Sequence, residues 1–185
     1  MMINRRQALK LILAGTLSPL LPELWSTPAA AAQLKPLCSG KLSIHNLHTE
    51  EYLSGKYLTR DGRFDSKMIK KLTFLFRCRY TGEVHPVSPE LFLLLDAVRS
   101  KLKAGDRPFQ LISGFRSSKL NGILSSCSPN VAHNSYHLKG MAADICLEGV
   151  RLSDIRRTAT RLKIGGVGQY SNFVHLDVGP VRYWG

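Results

Sequence analysis

The sequence has no cysteine pair at CxxC spacing and no Cys/His set at zinc-finger spacing, which excludes a closed structural zinc module. It also has no apolar run near the roughly 20 residues that a membrane-spanning helix needs, and the mostly apolar stretch from Leu11 to Leu21 falls well short. Acidic residues are scarce, 13 against 26 Lys and Arg, so the formal net charge is +13. A surface of that sign attracts polyanions. The basic residues nevertheless form no Lys/Arg-rich arm and no motif interleaved with aromatics, so nucleic acid is not an expected partner. No internal repeat, low-complexity tract or linker divides the chain. At 185 residues and 44% hydrophobic it suits one domain with a substantial core.

The first 32 residues stand apart. Asn4-Arg-Arg-Gln-Ala-Leu-Lys10 is basic, Leu11 to Leu21 is apolar and Ala29-Ala-Ala-Ala32 is small, which is the order of a signal peptide. The paired Arg5-Arg6 resembles the twin-arginine type. The expectation is a signal over 1–32 and one domain over 33–185, exported to the periplasm or cell envelope. Loss of 1–32 leaves the remainder strongly basic, so cell-wall polymers or anionic lipid head groups are the polyanions to consider. Cys38, Cys78, Cys127 and Cys146 could form two disulfides in three connectivities or stay as buried thiols.

Lys41 to Leu47 alternates with period two, and a second strand around Glu51 to Leu58 would complete a hairpin. Asp65 or Ser66 can cap a helix whose Met68, Ile69, Leu72, Leu75 and Phe76 share one face. Ser88-Pro-Glu90 starts another helix, with Gly105 just past its end. Strands are expected at Phe109 to Ser113, Met141 to Leu147 and Phe173 to Val178. A helix can follow Ser117, and Ser153 or Asp154 caps one that Gly165-Gly166 stops. Helices early and strands late imply an α+β fold, with a small antiparallel sheet packed against about three helices.

The chemistry concentrates in Ser135-Tyr-His-Leu-Lys-Gly-Met-Ala-Ala-Asp144 and Asn172-Phe-Val-His-Leu-Asp-Val-Gly-Pro180. Asp144 sits among Ala142, Ala143 and Ile145, where a lone buried charge would cost several kcal/mol without a partner. Two imidazoles and one carboxylate, His137, His175 and Asp144, leave a fourth position open and form the ligand set of a catalytic Zn²⁺ site. On the last strand His175 and Asp177 share a face, their Cα atoms about 6.6 Å apart. Asp177 there could accept a proton or orient a metal-bound imidazole. His133 precedes His137 by four, but the segment reads as loop, and His45, His48 and His85 read as surface residues. Ser135 lacks a nucleophile-elbow context. Glu148 is solvent-facing and a fallback base.

These segments, with Ser113-Gly-Phe-Arg-Ser117, resemble the zinc peptidase superfamily that includes D-Ala-D-Ala carboxypeptidases and dipeptidases and the hedgehog signalling domain. Asn46-Leu-His-Thr49, Gly165-Gly-Val-Gly168 and Phe173 to Pro180, followed by Arg182 and Trp184, are similar to its K-type murein endopeptidase family. The resemblance implies metal ligands His137, Asp144 and His175, a substrate or transition-state role for Arg116, and cleavage of peptidoglycan cross-links that involve meso-diaminopimelate. The dipeptidase branch has a Glu base three residues before its last His, and the carboxypeptidase branch a His two before it. Here those positions are Asn172 and Phe173. Asp177 is therefore the candidate base. The rival readings are a carboxypeptidase that trims stem peptides and a noncatalytic wall-binding module that keeps the metal.

Overall fold

The computed structural model describes residues 28–129 and 131–185. Its centre is one helix, α3 (Pro89–Lys101), which is buried without a break from Leu91 to Arg99. Pro89 in its first turn, Glu90 beside it, and Arg99 and Lys101 in its last turn suit the helix dipole. Helix α2 (Ser66–Leu75) starts where Asp65 accepts the Met68 N–H at 2.9 Å, and it buries Met68, Leu72 and Leu75. Helix α1 (Pro28–Leu34) lays Leu34 into the same core, fully buried. Helix α4 (Ser118–Cys127) is capped by the Ser117 hydroxyl. Helix α5 (Leu152–Leu162) begins two residues earlier than a Ser153 cap would set, with Arg151 as its cap and Asp154 in its first turn.

The helices pack on a seven-stranded sheet ordered β2-β1-β3-β4-β6-β5-β7. Strands β1 (Lys41–Asn46) and β2 (Glu51–Lys56) form the expected hairpin. Strand β3 (Phe109–Ser113) runs parallel to β1 because α2 and α3 carry the chain back between them. Strands β4 (Ala142–Leu147) and β6 (Val174–Asp177) pair antiparallel, and β5 (Gly166–Gln169) joins the far side of β6. Strand β7 (Arg182–Trp184) runs parallel to β5. The sheet is thus larger than expected and mixed, and five helices, not about three, lie among the described residues, with short 3₁₀ turns at Lys35–Leu37 and Tyr136–Lys139. The excess comes from β5, short and glycine-rich, from β7, only three residues long, neither of which shows alternation, and from α1.

Helix α1 spans the expected boundary at residue 32, while residues 1–27, which carry most of the expected signal, lie outside the described residues. No helix among the described residues is long and apolar enough to cross a membrane. All four cysteines are free thiols. One carboxylate, Asp96 on α3, is fully buried and fully partnered. It accepts hydrogen bonds from the Ser39 hydroxyl (2.8 Å), the Gly40 N–H (2.8 Å), the Tyr57 hydroxyl (2.9 Å) and the Ser100 hydroxyl (3.3 Å), with Arg99 at 3.8 Å.

Candidate metal centre

The register of β4 against β6 sets Asp144 directly across from His175, and the end of β3 brings Ser113 beside Asp144. His137 arrives from the 3₁₀ turn Tyr136–Lys139, where the Ser135 hydroxyl accepts the His137 N–H. The turn ends on Gly140 at φ 63°, and a Cβ there would sit 2.2 Å from the Pro86 carbonyl oxygen. The glycine between His137 and Asp144 is therefore fixed by both conformation and space.

His137 Nε2, His175 Nδ1 and Asp144 Oδ1 form a triangle with sides of 3.1, 2.8 and 3.2 Å. All three residues are buried. The other nitrogen of each ring has a fixed partner: His137 Nδ1 donates to the Gly114 carbonyl at 2.7 Å and His175 Nε2 donates to Asp177 Oδ2 at 2.9 Å. Because both partners can only accept, each neutral ring keeps its proton on the outer nitrogen and turns a lone pair inward. Three lone pairs then meet at one buried point, an arrangement that a cation resolves. A tetrahedral ion with bonds of about 2.0–2.2 Å spaces its ligands by roughly 3.3–3.6 Å, a few tenths of an ångström wider than this triangle, so a small outward shift lets the donor set fit a metal such as zinc.

Burial opposes the charge of Asp144, but when the two imidazoles are protonated His137 and His175 overcome it and hold its carboxyl far below the usual range. Burial pushes the His137 imidazole down. It acts the same way on His175, where the hydrogen bonds that the protonated ring donates to Asp144 and Asp177 outweigh it and raise that ring. Arg116 donates to Asp144 Oδ2 and, through Nε, to the Ser113 hydroxyl at 2.9 Å. Burial lowers its guanidinium somewhat, against the pull of Asp144.

Asp177 lies behind this group, fully buried. Its carboxylate receives five donors: His175 Nε2, both terminal nitrogens of Arg182 (3.1 and 2.6 Å), and the N–H groups of Gly166 (3.0 Å) and Gly179 (2.8 Å). Burial opposes its charge, yet the His175 and Arg182 hydrogen bonds hold it at about 2. Arg182 is itself flanked by the rings of Tyr136 and Trp184, 4.8 and 5.2 Å away.

In front of the triangle opens a cleft of about 540 Å³, walled by Arg116, Tyr136, Tyr170, Phe173, Arg182 and Trp184 among others. His133 is exposed and stays out of the triangle, His45 pairs with Glu50, His85 stacks on Phe115, and Glu148 and Asn172 are exposed. Tyr170 carries no individual signal in the chain, and the packing of Arg182 and Trp184 is not readable from it, because β5 and β7 bring them in. A Cβ on Gly168 would lie 2.1 Å from the Trp184 indole, so only glycine lets that ring cross β5. That constraint is readable only once the pairing is known.

A family model described as peptidoglycan L,D-endopeptidase MepK matches residues 37–184. The peptidoglycan L,D-endopeptidase MepK of Escherichia coli K12 is 39% identical over 184 residues, covering 98% of this chain and 97% of the relative. The probable peptidoglycan L,D-endopeptidase MepK of Haemophilus influenzae is 40% identical over 145 residues, 77% of each chain. The protein of that name from Shigella flexneri is 39% identical over 184 residues, covering 98% of this chain and 97% of its own.

Proposed function

Since the chain belongs to the peptidoglycan L,D-endopeptidase MepK family, we propose that it hydrolyses amide bonds between an L- and a D-centre in peptidoglycan cross-links, with one Zn²⁺ held by His137, Asp144 and His175. It is a hydrolase of the metallopeptidase type, and its substrate is murein. The inward lone pairs of the triangle, open to the cleft on one side, carry the metal assignment. A zinc ion bound there supplies Lewis-acid polarisation of the scissile carbonyl.

The chain's own groups do the rest. Gly114 and Asp177 keep the two ring protons on the outer nitrogens, so His137 and His175 present lone pairs without reorganisation. Arg116, tied to Ser113 and Asp144, retains N–H groups for the substrate carbonyl oxygen. Asp177 serves by orienting His175. Its five donors exceed the roughly four lone-pair sites of a carboxylate, which supports this role over direct proton transfer. Export by the twin-arginine-like signal would bring the basic enzyme to the cell wall in the periplasm.

The noncatalytic reading draws on one observation: among the described residues that wall the cleft, Asp144 is the only carboxylate. A digest separates the readings. Zinc-loaded protein acting on purified cross-linked muropeptides should convert dimers to monomers by mass spectrometry. Loss of one terminal residue would make it a carboxypeptidase, and unchanged dimers would leave a binding module.

A further inference from the structure

The hydrogen-bonding capacity of the cleft wall is not exhausted by the roles above. The Tyr170 ring stacks on Phe173, with centroids 4.5 Å apart and planes at 22°. Its oxygen lies 3.1 Å from Trp184 Nε1. An indole N–H can only donate, so the phenol oxygen is the acceptor in this pair and keeps its own O–H to give elsewhere. Among the described residues no acceptor takes that proton, and Tyr170 lines the cleft. Trp184 spans the short distance to the metal group, its ring 5.3 Å from that of His175. On the same wall, Arg116 has already committed Nε to Ser113 and an Nη2 hydrogen to Asp144.

We propose that the Tyr170 hydroxyl is a further catalytic residue, donating a hydrogen bond to the scissile carbonyl oxygen as that carbon becomes tetrahedral, and that Trp184 is the positioning residue that aims it. The inference rests on the endopeptidase reading. No covalent step is involved: the proton stays on Tyr170, and the developing negative charge is shared between its O–H and the remaining N–H groups of Arg116. The indole N–H polarises the phenol and makes it a stronger donor. Phe173 and Trp184 fix the ring before substrate arrives, so little reorganisation is needed at the moment of reaction.

Tyr170→Phe removes the hydroxyl and keeps the stacking ring. With a cross-linked muropeptide dimer as substrate, kcat should fall roughly 10²- to 10³-fold, as for loss of one oxyanion donor, with KM within about threefold and zinc content unchanged. Affinity for a phosphinate pseudopeptide, a mimic of the tetrahedral state, should fall by a comparable factor, because catalysis and analogue binding draw on the same contact. Trp184→Phe, which keeps a ring and loses the N–H, should lower kcat about tenfold with the Tyr170 hydroxyl still present. A Tyr170→Phe enzyme with kcat within threefold of wild type, a rise in KM alone, or unchanged phosphinate affinity would overturn the proposal. If wild type releases no monomer from the dimer, the endopeptidase reading falls, and the phosphinate comparison still judges Tyr170.

Discussion

Asp96 and Asp144 are both buried carboxylates with an arginine in reach, and they do opposite things. Asp96 stands on the central helix, closed in by three hydroxyls and one backbone N–H, all neutral donors, with Arg99 at the edge of range. Its charge is satisfied by the fold, and it ties the start of β1 and the end of β2 to α3. Asp144 stands on β4 between two imidazoles whose inward nitrogens are acceptors, with Arg116 on one oxygen and a cleft in front. Its surroundings leave a side open where a cation could sit. What separates a structural buried charge from the ligand proposed at Asp144 is therefore the kind of neighbour and the open side, since depth of burial is the same.

The largest effect should come from Asp144→Ala. Hydrolysis of muropeptide dimers should drop roughly 10³-fold or more as the several kcal/mol of Lewis-acid stabilisation go with the ion, and bound zinc should be lost. Asp96→Ala should do the reverse: zinc and kcat per folded molecule persist, while denaturant unfolding shows a loss of about 3 kcal/mol from the stranded partners. An Asp144→Ala variant that destabilises the metal-free protein more than Asp96→Ala does would erase the distinction.

A smaller effect sharpens the contrast at acid pH. The carboxyl of Asp177 is depressed from the ordinary 3.8 to about 2 in the fold. A depressed group contributes stability above its unfolded value and loses it as pH falls through the folded one. Unfolding free energy of the metal-free protein should therefore decline between about pH 4 and pH 2, by on the order of 2 kcal/mol from this group. Asp177→Asn should flatten that part of the profile measured by urea unfolding. A slope unchanged by the substitution would place the acid sensitivity elsewhere.

Much of this was legible along the chain. The β1–β2 hairpin announces itself by alternation, α2 by the Asp65 cap and its apolar face, and α3 by Ser88-Pro-Glu90, because these signals are local. The β4 and β6 strands carry Asp144 and His175 within apolar runs, and the segment from Ser135 to Asp144 points to His137 through its resemblance to known peptidases. The parallel pairings were not legible. They depend on where α2 and α3 return the chain and on a four-residue strand, Gly166–Gln169, whose glycines read as a helix stop. The Arg182 grip on Asp177 and the Trp184 contact with Tyr170 inherit that opacity, since both exist only because β7 lies beside β5.

The position of β7 also sets an order in time. His137 and Asp144 leave the ribosome about 40 residues before Trp184, which at roughly 5–20 residues per second is an interval of seconds. During it, the hairpin, α2, α3 and β3 can already close over the apolar core, whereas Asp177 has no Arg182 and the cleft has no far wall. Chemistry in this molecule is thus a late acquisition of a nearly finished fold, and a nascent chain stalled before β7 would be compact and inert.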